Sequence, residues 1–156
     1  MVKHLVLLTT HCGALAIGFA AGIYALPILT APQAPNSSTL ESVAKNARFN
    51  AMFTRELADS DLFHWGEGEV FIGQNGVTLA GESAPGPDYR LYLSPVFVET
   101  EANFNEHKQK MLEIGPVRTF KNFFVPFAKP IDLADFNTVI VWCESFGEFI
   151  TAAKYR

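Results

Sequence analysis

The hydrophobic pattern divides the chain into three parts. From Leu5 to Leu29 the sequence LVLLTTHCGALAIGFAAGIYALPIL is apolar on every side, and His11 is its only strongly polar member. At a rise of about 1.5 Å per residue, such a run is long enough as a helix to cross a hydrocarbon core of about 30 Å. From Thr30 to Ser38 the composition changes to TAPQAPNSS, a tether of proline and small polar residues. Ser38 to Glu41 then has the S-x-x-E form of a capping box, and Leu40, Val43, Ala44, Ala47 and Ala51 follow helical spacing. This predicts a juxtamembrane helix from Ser38 to near Ala58.

From Phe63 onward the period changes to two. Glu69 to Ile72 and Val77 to Leu79 flank Gln74-Asn75-Gly76, and Asn-Gly is a strong hairpin turn because both residues tolerate positive φ. Further strands are predicted at Tyr89 to Ser94, Val96 to Thr100, Met111 to Ile114, Arg118 to Val125, Thr138 to Glu144 and Glu148 to Ala153. Phe104 to Lys110 is more polar and reads as a helical insertion or a loop. About eight short strands without βαβ alternation predict an all-β domain, an antiparallel β-sandwich or barrel, preceded by a transmembrane helix and the short juxtamembrane helix. The expected organisation is residues 1–30 as a membrane anchor or uncleaved signal, 31–60 as tether and amphipathic helix, and 61–156 as the β domain.

Charge sharpens this division. No Asp, Glu, Lys or Arg occurs from His4 to Leu40, whereas all 16 acidic and 11 of the 12 basic residues lie from Glu41 onward, a net charge of −5 there. An acidic domain of this kind argues against a nucleic-acid partner. Lys3 precedes the apolar run and the next basic residue is Lys45, so the positive-inside rule places the N-terminus in the cytoplasm and the rest in the exoplasm or periplasm. The run exceeds the usual 7 to 15 residues of a signal peptide core, and no clean A-x-A site follows, which favours a retained single-pass anchor. Cys12 follows His11 and does not resemble a lipoprotein cleavage site. Gly18 and Gly22 form a G-x-x-x-G spacing that lets membrane helices approach closely. Lys45, Arg48 and Arg55 read as a solvent-facing surface, with contact to anionic lipid as the alternative.

Candidate chemistry is sparse. Cys12 in the apolar run and Cys143 near the far end are too widely separated to pair within one chain, which leaves Cys143 a lone thiol in an exported domain. Alternation puts Val139, Val141 and Cys143 on one face of a strand, and Ile140, Trp142 and Glu144 on the other. If the first face is core, the thiol is an inert small hydrophobe; otherwise it is a reactive group. Glu144 beside it is expected to raise the thiol pKa. No C-x-x-C, H-E-x-x-H, G-x-S-x-G or phosphate loop occurs, and no metal-ligand spacing. His64 and His107 are isolated, and Glu67, Glu69 and Asp88 lack the spacing of a calcium loop. Nine of the 14 Phe residues lie between Phe97 and Phe149, which reads as core packing.

Five blocks in order resemble the electron-transfer DM-thirteen family. They are Phe63-His64-Trp65-Gly66-Glu67-Gly68; Gly86-Pro87-Asp88-Tyr89-Arg90-Leu91-Tyr92-Leu93-Ser94; Leu112-Glu113-Ile114-Gly115-Pro116-Val117; Val125-Pro126 with Ile131-Asp132-Leu133; and Val139-Ile140-Val141-Trp142-Cys143-Glu144-Ser145-Phe146. The chain is thus similar to membrane-anchored bacterial members of that family. The resemblance implies an antiparallel β fold and Cys143 as the characteristic residue, acting in redox chemistry as a naked thiol or as a haem-associated ligand. The expected function is an exoplasmic redox or electron-transfer role centred on Cys143, with a redox or cell-envelope protein as partner and membrane lipid met through the anchor. A crevice beside Cys143 is expected, lined by Trp142, Phe146, Tyr92 and His64. The alternative is a non-catalytic envelope-binding module that presents an acidic β surface, in which Cys143 is structural.

Overall fold

The computed structural model describes residues 2–156. Helix α1 (Val2–Thr30, 29 residues) is long and apolar enough to cross a membrane, and none of its residues is buried. Thr9, Thr10, His11 and Thr30 return their polar groups to carbonyls of the same helix. Thr9 and Thr10 donate to the Leu5 and Leu7 carbonyls at 2.9 Å, and His11 Nδ1 lies 2.7 Å from the Leu7 oxygen. Polar groups returned to the helix's own carbonyls are compatible with a lipid environment.

After residues 31–36, helix α2 spans Ser37–Lys45. Its N-cap is Asn36, whose Oδ1 accepts from the Thr39 N–H at 3.0 Å, so the expected Ser38/Glu41 capping box does not form. The helix predicted to reach Ala58 also stops early. Asn46 Nδ2 caps its end by donating to the Ser42 carbonyl at 2.8 Å. The next residues form strand β1 (Phe49–Phe53), which pairs antiparallel with β2 (Gly66–Ile72) from Phe49↔Ile72 to Phe53↔Gly68. Ala51 fits a helical stripe, but Phe49, Ala51 and Phe53 also alternate. Pairing with β2 and packing of all three against the core select the strand.

The remaining strands are β3 (Gly76–Ser83), β4 (Tyr89–Ser94), β5 (Leu112–Val117), β6 (Lys121–Pro126), β7 (Thr138–Cys143) and β8 (Glu148–Lys154). They form two four-stranded antiparallel sheets of order β1-β2-β3-β6 and β5-β4-β7-β8, so the domain is the expected β-sandwich of eight strands. The segment predicted as a strand at Val96 to Thr100 is irregular. Its Glu99 carbonyl accepts from Asp59 N–H at 3.1 Å, so its backbone bonds join another loop rather than a sheet. Phe104 to Lys110 is the helical alternative: α3 (Glu101–His107) and a 3₁₀ turn at Lys108–Lys110.

Two hydrophobic layers follow from this arrangement. Val70, Ile72, Leu79, Leu91, Val139, Val141 and Cys143 belong to the core between the sheets. On the outer face of the second sheet, Ile140, Trp142 and Phe149 pack with Phe104 of α3. Strand β7 is therefore buried at all six positions, which explains why its sequence is apolar on both faces.

Candidate functional site

Cys143 is the last residue of β7 and pairs in register with Tyr89, the first residue of β4. It is 2% exposed, yet it lines a cavity of about 360 Å³ with Tyr89, Ile150, Phe63, His64, Phe146 and the Pro85-Gly86-Pro87 loop. Ala20, Ile23 and Tyr24 of α1 and Glu148 of β8 complete the wall. Gly86 matters sterically here, because a Cβ on it would overlap the Tyr89 ring, with Cζ 2.5 Å away. That ring also meets Phe120 edge-on at 5.9 Å.

Burial pushes the Cys143 thiol pKa up. Hydrogen bonds from the backbones of Phe146, Asp88 and Ser145 act in the opposite sense, and the Asp88 carboxylate adds to the rise. The acid bearing on the thiol is thus Asp88, and not the adjacent Glu144 expected from sequence. Alternation sends Glu144 to the opposite face, where both its oxygens lie 2.8 Å from Lys108 Nζ. Tyr89 is likewise pushed up by burial.

His64 shares the cavity but makes no hydrogen bond to the thiol. Asp61 holds it: Oδ1 accepts from the backbone N–H of Phe63 at 2.7 Å and of His64 at 2.8 Å, and Oδ2 lies 3.1 Å from His64 Nδ1. Desolvation opposes ionisation of Asp61, but these bonds outweigh it and lower its pKa.

Of the four residues expected to line the crevice, Phe146 and His64 do so, and Trp142 and Tyr92 do not. The latter two face the outer layer: Trp142 is one residue from Cys143, and Tyr92 pairs with Ile140, which shares the Trp142 face of β7. There Trp142 stacks on Phe104 at 3.9 Å and 9°, and Tyr92 meets Phe104 edge-on at 5.2 Å. Lys108 Nζ stands over all three rings at 5.5 to 5.9 Å. The Tyr92 hydroxyl donates to Glu144. Tyr89, Phe63 and the Pro85 loop were not singled out from sequence as site residues. Alternation alone puts Tyr89 on a sheet face without saying which strand it adjoins.

The other polar candidates are dispersed. Glu67 pairs with Arg55 at 2.6 Å, Asp88 with Arg90 at 3.0 Å, and His107 Nδ1 lies 2.9 Å from the Asn103 carbonyl oxygen of its own helix. Among the described residues no three His, Cys, Asp or Glu side chains converge as metal ligands. The cavity does not suit a haem either. Its volume is at the low end of the range of about 300 to 1,000 Å³ for small-ligand pockets.

Glu144 supplies a separate test of the outer layer. Burial opposes its ionisation, but Lys108 and Tyr92 outweigh this and hold its pKa below the usual carboxylate range. Glu144→Gln is expected to cost about 1 kcal/mol near neutral pH, a modest figure because both partners are partly exposed. A depressed pKa adds stability above the unfolded value of about 4.3, and that gain is lost as pH falls through the folded value. Urea titrations should therefore show the wild-type advantage shrinking below about pH 4.

Fold and site together define a β-sandwich domain with one thiol at the floor of an apolar cavity. The family model described as electron transfer DM13 matches residues 56–155, and the chain belongs to that family. No curated protein and no solved structure matches it.

Proposed function

We propose that the domain transfers electrons through Cys143, within a protein anchored by α1. The observation that carries this reading is the position of the sulfur: it packs in the core with Val139 and Val141, yet it borders a cavity rather than closed packing. Membership of an electron-transfer family supports the same reading. Cys12 lies on α1, outside the β domain, so a second sulfur for Cys143 comes from a partner. In exchange with a partner disulfide, the Cys143 sulfur loses its proton and bonds to one partner sulfur. The partner's S–S bond breaks, and the leaving sulfur departs as the reduced thiolate and takes up a proton. His64, positioned by Asp61, and Glu148 are the cavity side chains available to accept and return that proton.

A Cys12→Ser background isolates this thiol. An uncharged maleimide is expected to label Cys143 completely in the folded protein, and faster than the anionic Ellman reagent does, because the cavity is apolar. The labelling rate should keep rising above the ordinary thiol pKa of about 8.5, as the raised pKa requires. A thiol inert to both reagents, and unchanged between reducing and oxidising buffer, overturns the proposal.

A further inference from the structure

We propose that the cavity end of the β domain rests on the bilayer surface, with Leu62, Phe63 and Phe146 inserted among the lipid headgroups. The inference depends on α1 crossing the membrane and not on the redox reading of Cys143.

The first observation is a surplus of helix. At about 1.5 Å per residue, the 29 residues of α1 extend about 43 Å, whereas a hydrocarbon core of about 30 Å takes about 20 residues. Counted from Leu5, after the charged Lys3, the core is filled by about Tyr24, so the last turn and a half emerges. That end of α1, together with the turn just before it, is the part that meets the β domain. Tyr24 and Ile28 line a second cavity with Trp65 and Ser83, and Pro27 and Thr30 a third with Gly86 and Pro87. Ala20, Ile23 and Tyr24 wall the Cys143 cavity itself. The residues of α1 at the edge of the hydrocarbon core therefore lie at the height of that cavity.

The second observation is the rim. Leu62 and Phe63, in the loop between β1 and β2, are 81% and 57% exposed, and Phe146, in the turn between β7 and β8, is 55% exposed. Phe63 and Phe146 border the same cavity as Ala20 and Tyr24. Large apolar side chains from two separate loops thus collect on the side of the domain that α1 approaches. Aromatic side chains are favoured at the headgroup level, and exposed apolar patches of this kind are docking surfaces.

Charge selects the mode of contact. The chain from Glu41 onward carries −5 and is repelled by anionic lipid. No Lys or Arg lines the Cys143 cavity. Arg90, Arg118 and Lys121 line the two neighbouring cavities at the end of α1, where Arg90 pairs with Asp88 and Glu113 and Lys121 with Glu82. Arg55 stacks on Trp65 with its guanidinium 3.4 Å from the ring centre and pairs with Glu67. The Arg48 N–H bonds to the Ile72 carbonyl at the opposite end of β2 from Gly66. Apolar insertion, and not electrostatic attraction, holds the rim.

The test uses the full chain reconstituted in phosphatidylcholine vesicles with or without brominated acyl chains. Leu62→Trp places a reporter on the rim, and Gln74→Trp places one in the β2–β3 turn at the far end of the domain. Both positions are exposed, so neither substitution disturbs packing. Relative to the wild type, the Leu62→Trp signal should shift to the blue and be quenched by the brominated lipid, while the Gln74→Trp signal should be unaffected. The quenching should persist at about 1 M salt, where charges are screened beyond about 3 Å. Equal quenching at both positions, no quenching at Leu62→Trp, or quenching abolished by salt overturns the proposal. Adding Cys143→Ser should leave the result unchanged, so docking and redox function stand or fall separately.

Discussion

Replacing Trp142 by alanine is expected to lower the stability of the β domain by about 3 to 5 kcal/mol, the loss seen when a large aromatic is truncated in a core. The indole is buried on the outer face of the second sheet, with its ring parallel to that of Phe104. Phe104 comes from α3, a helix of seven residues that is too short to persist without tertiary contacts. Removing the indole therefore leaves a cavity and also takes away the surface on which α3 rests. Against a typical total of about 5 to 15 kcal/mol, this is a large share of the stability. With a urea slope of about 1 to 3 kcal/mol per molar, the unfolding midpoint should fall by more than about 1 M. Trp142→Phe keeps a ring for Phe104 to stack on and should lose clearly less. Equal losses for the two variants would show that stacking contributes nothing, and no loss for the alanine would show that α3 does not cover a true core.

The reach of sequence reasoning was set by how far apart the interacting residues lie. Strand β4 was legible at both ends, and β7 and β8 to within one residue, because alternation and flanking turn residues are local. β1 was misread, since Ala51 satisfies both a helical and a strand period and only pairing with β2 decides between them. The assignment of Val139, Val141 and Cys143 to one face was also correct, yet the choice between core and open face was not available. Both faces of β7 are covered, one by the other sheet and one by α3, and neither partner is adjacent in sequence. The site shows the same limit. Cys143 stood out as a lone thiol, but its neighbours Tyr89, Phe63 and His64 are brought to it by sheet register and loop placement. Trp142 was expected there as an aromatic member of the matched blocks, although strand alternation already sends it to the face opposite Cys143.

Strand β3 carries the last expectation, because its middle has room for only one residue type. At the Gly68↔Gly81 pair the two backbones approach closely. A Cβ on Gly81 would overlap the Glu67 carbonyl oxygen and lie 2.8 Å from Gly68 Cα. Gly68 itself has φ +128, which side chains rarely adopt, so it cannot yield by taking an ordinary strand conformation. On the other side, Gly81 N–H donates to Asn122 Oδ1 at 3.0 Å, at the irregularity between β3 and β6 where Asn122 has φ 53. The atoms that a Cβ on Gly81 would meet, the Glu67 carbonyl and Gly68 Cα, are all backbone, so no flexible side chain can move aside. Gly81→Ala is expected to cost about 3 kcal/mol or more, at the upper end for insertion of one methyl into a packed region. Hydrogen exchange should show lost protection concentrated in β2, β3 and β6, with β4, β7 and the Cys143 cavity less affected. A fully protected first sheet in the Gly81→Ala protein would mean that the strands separate at little cost, and that the glycine pair is not what sets their spacing.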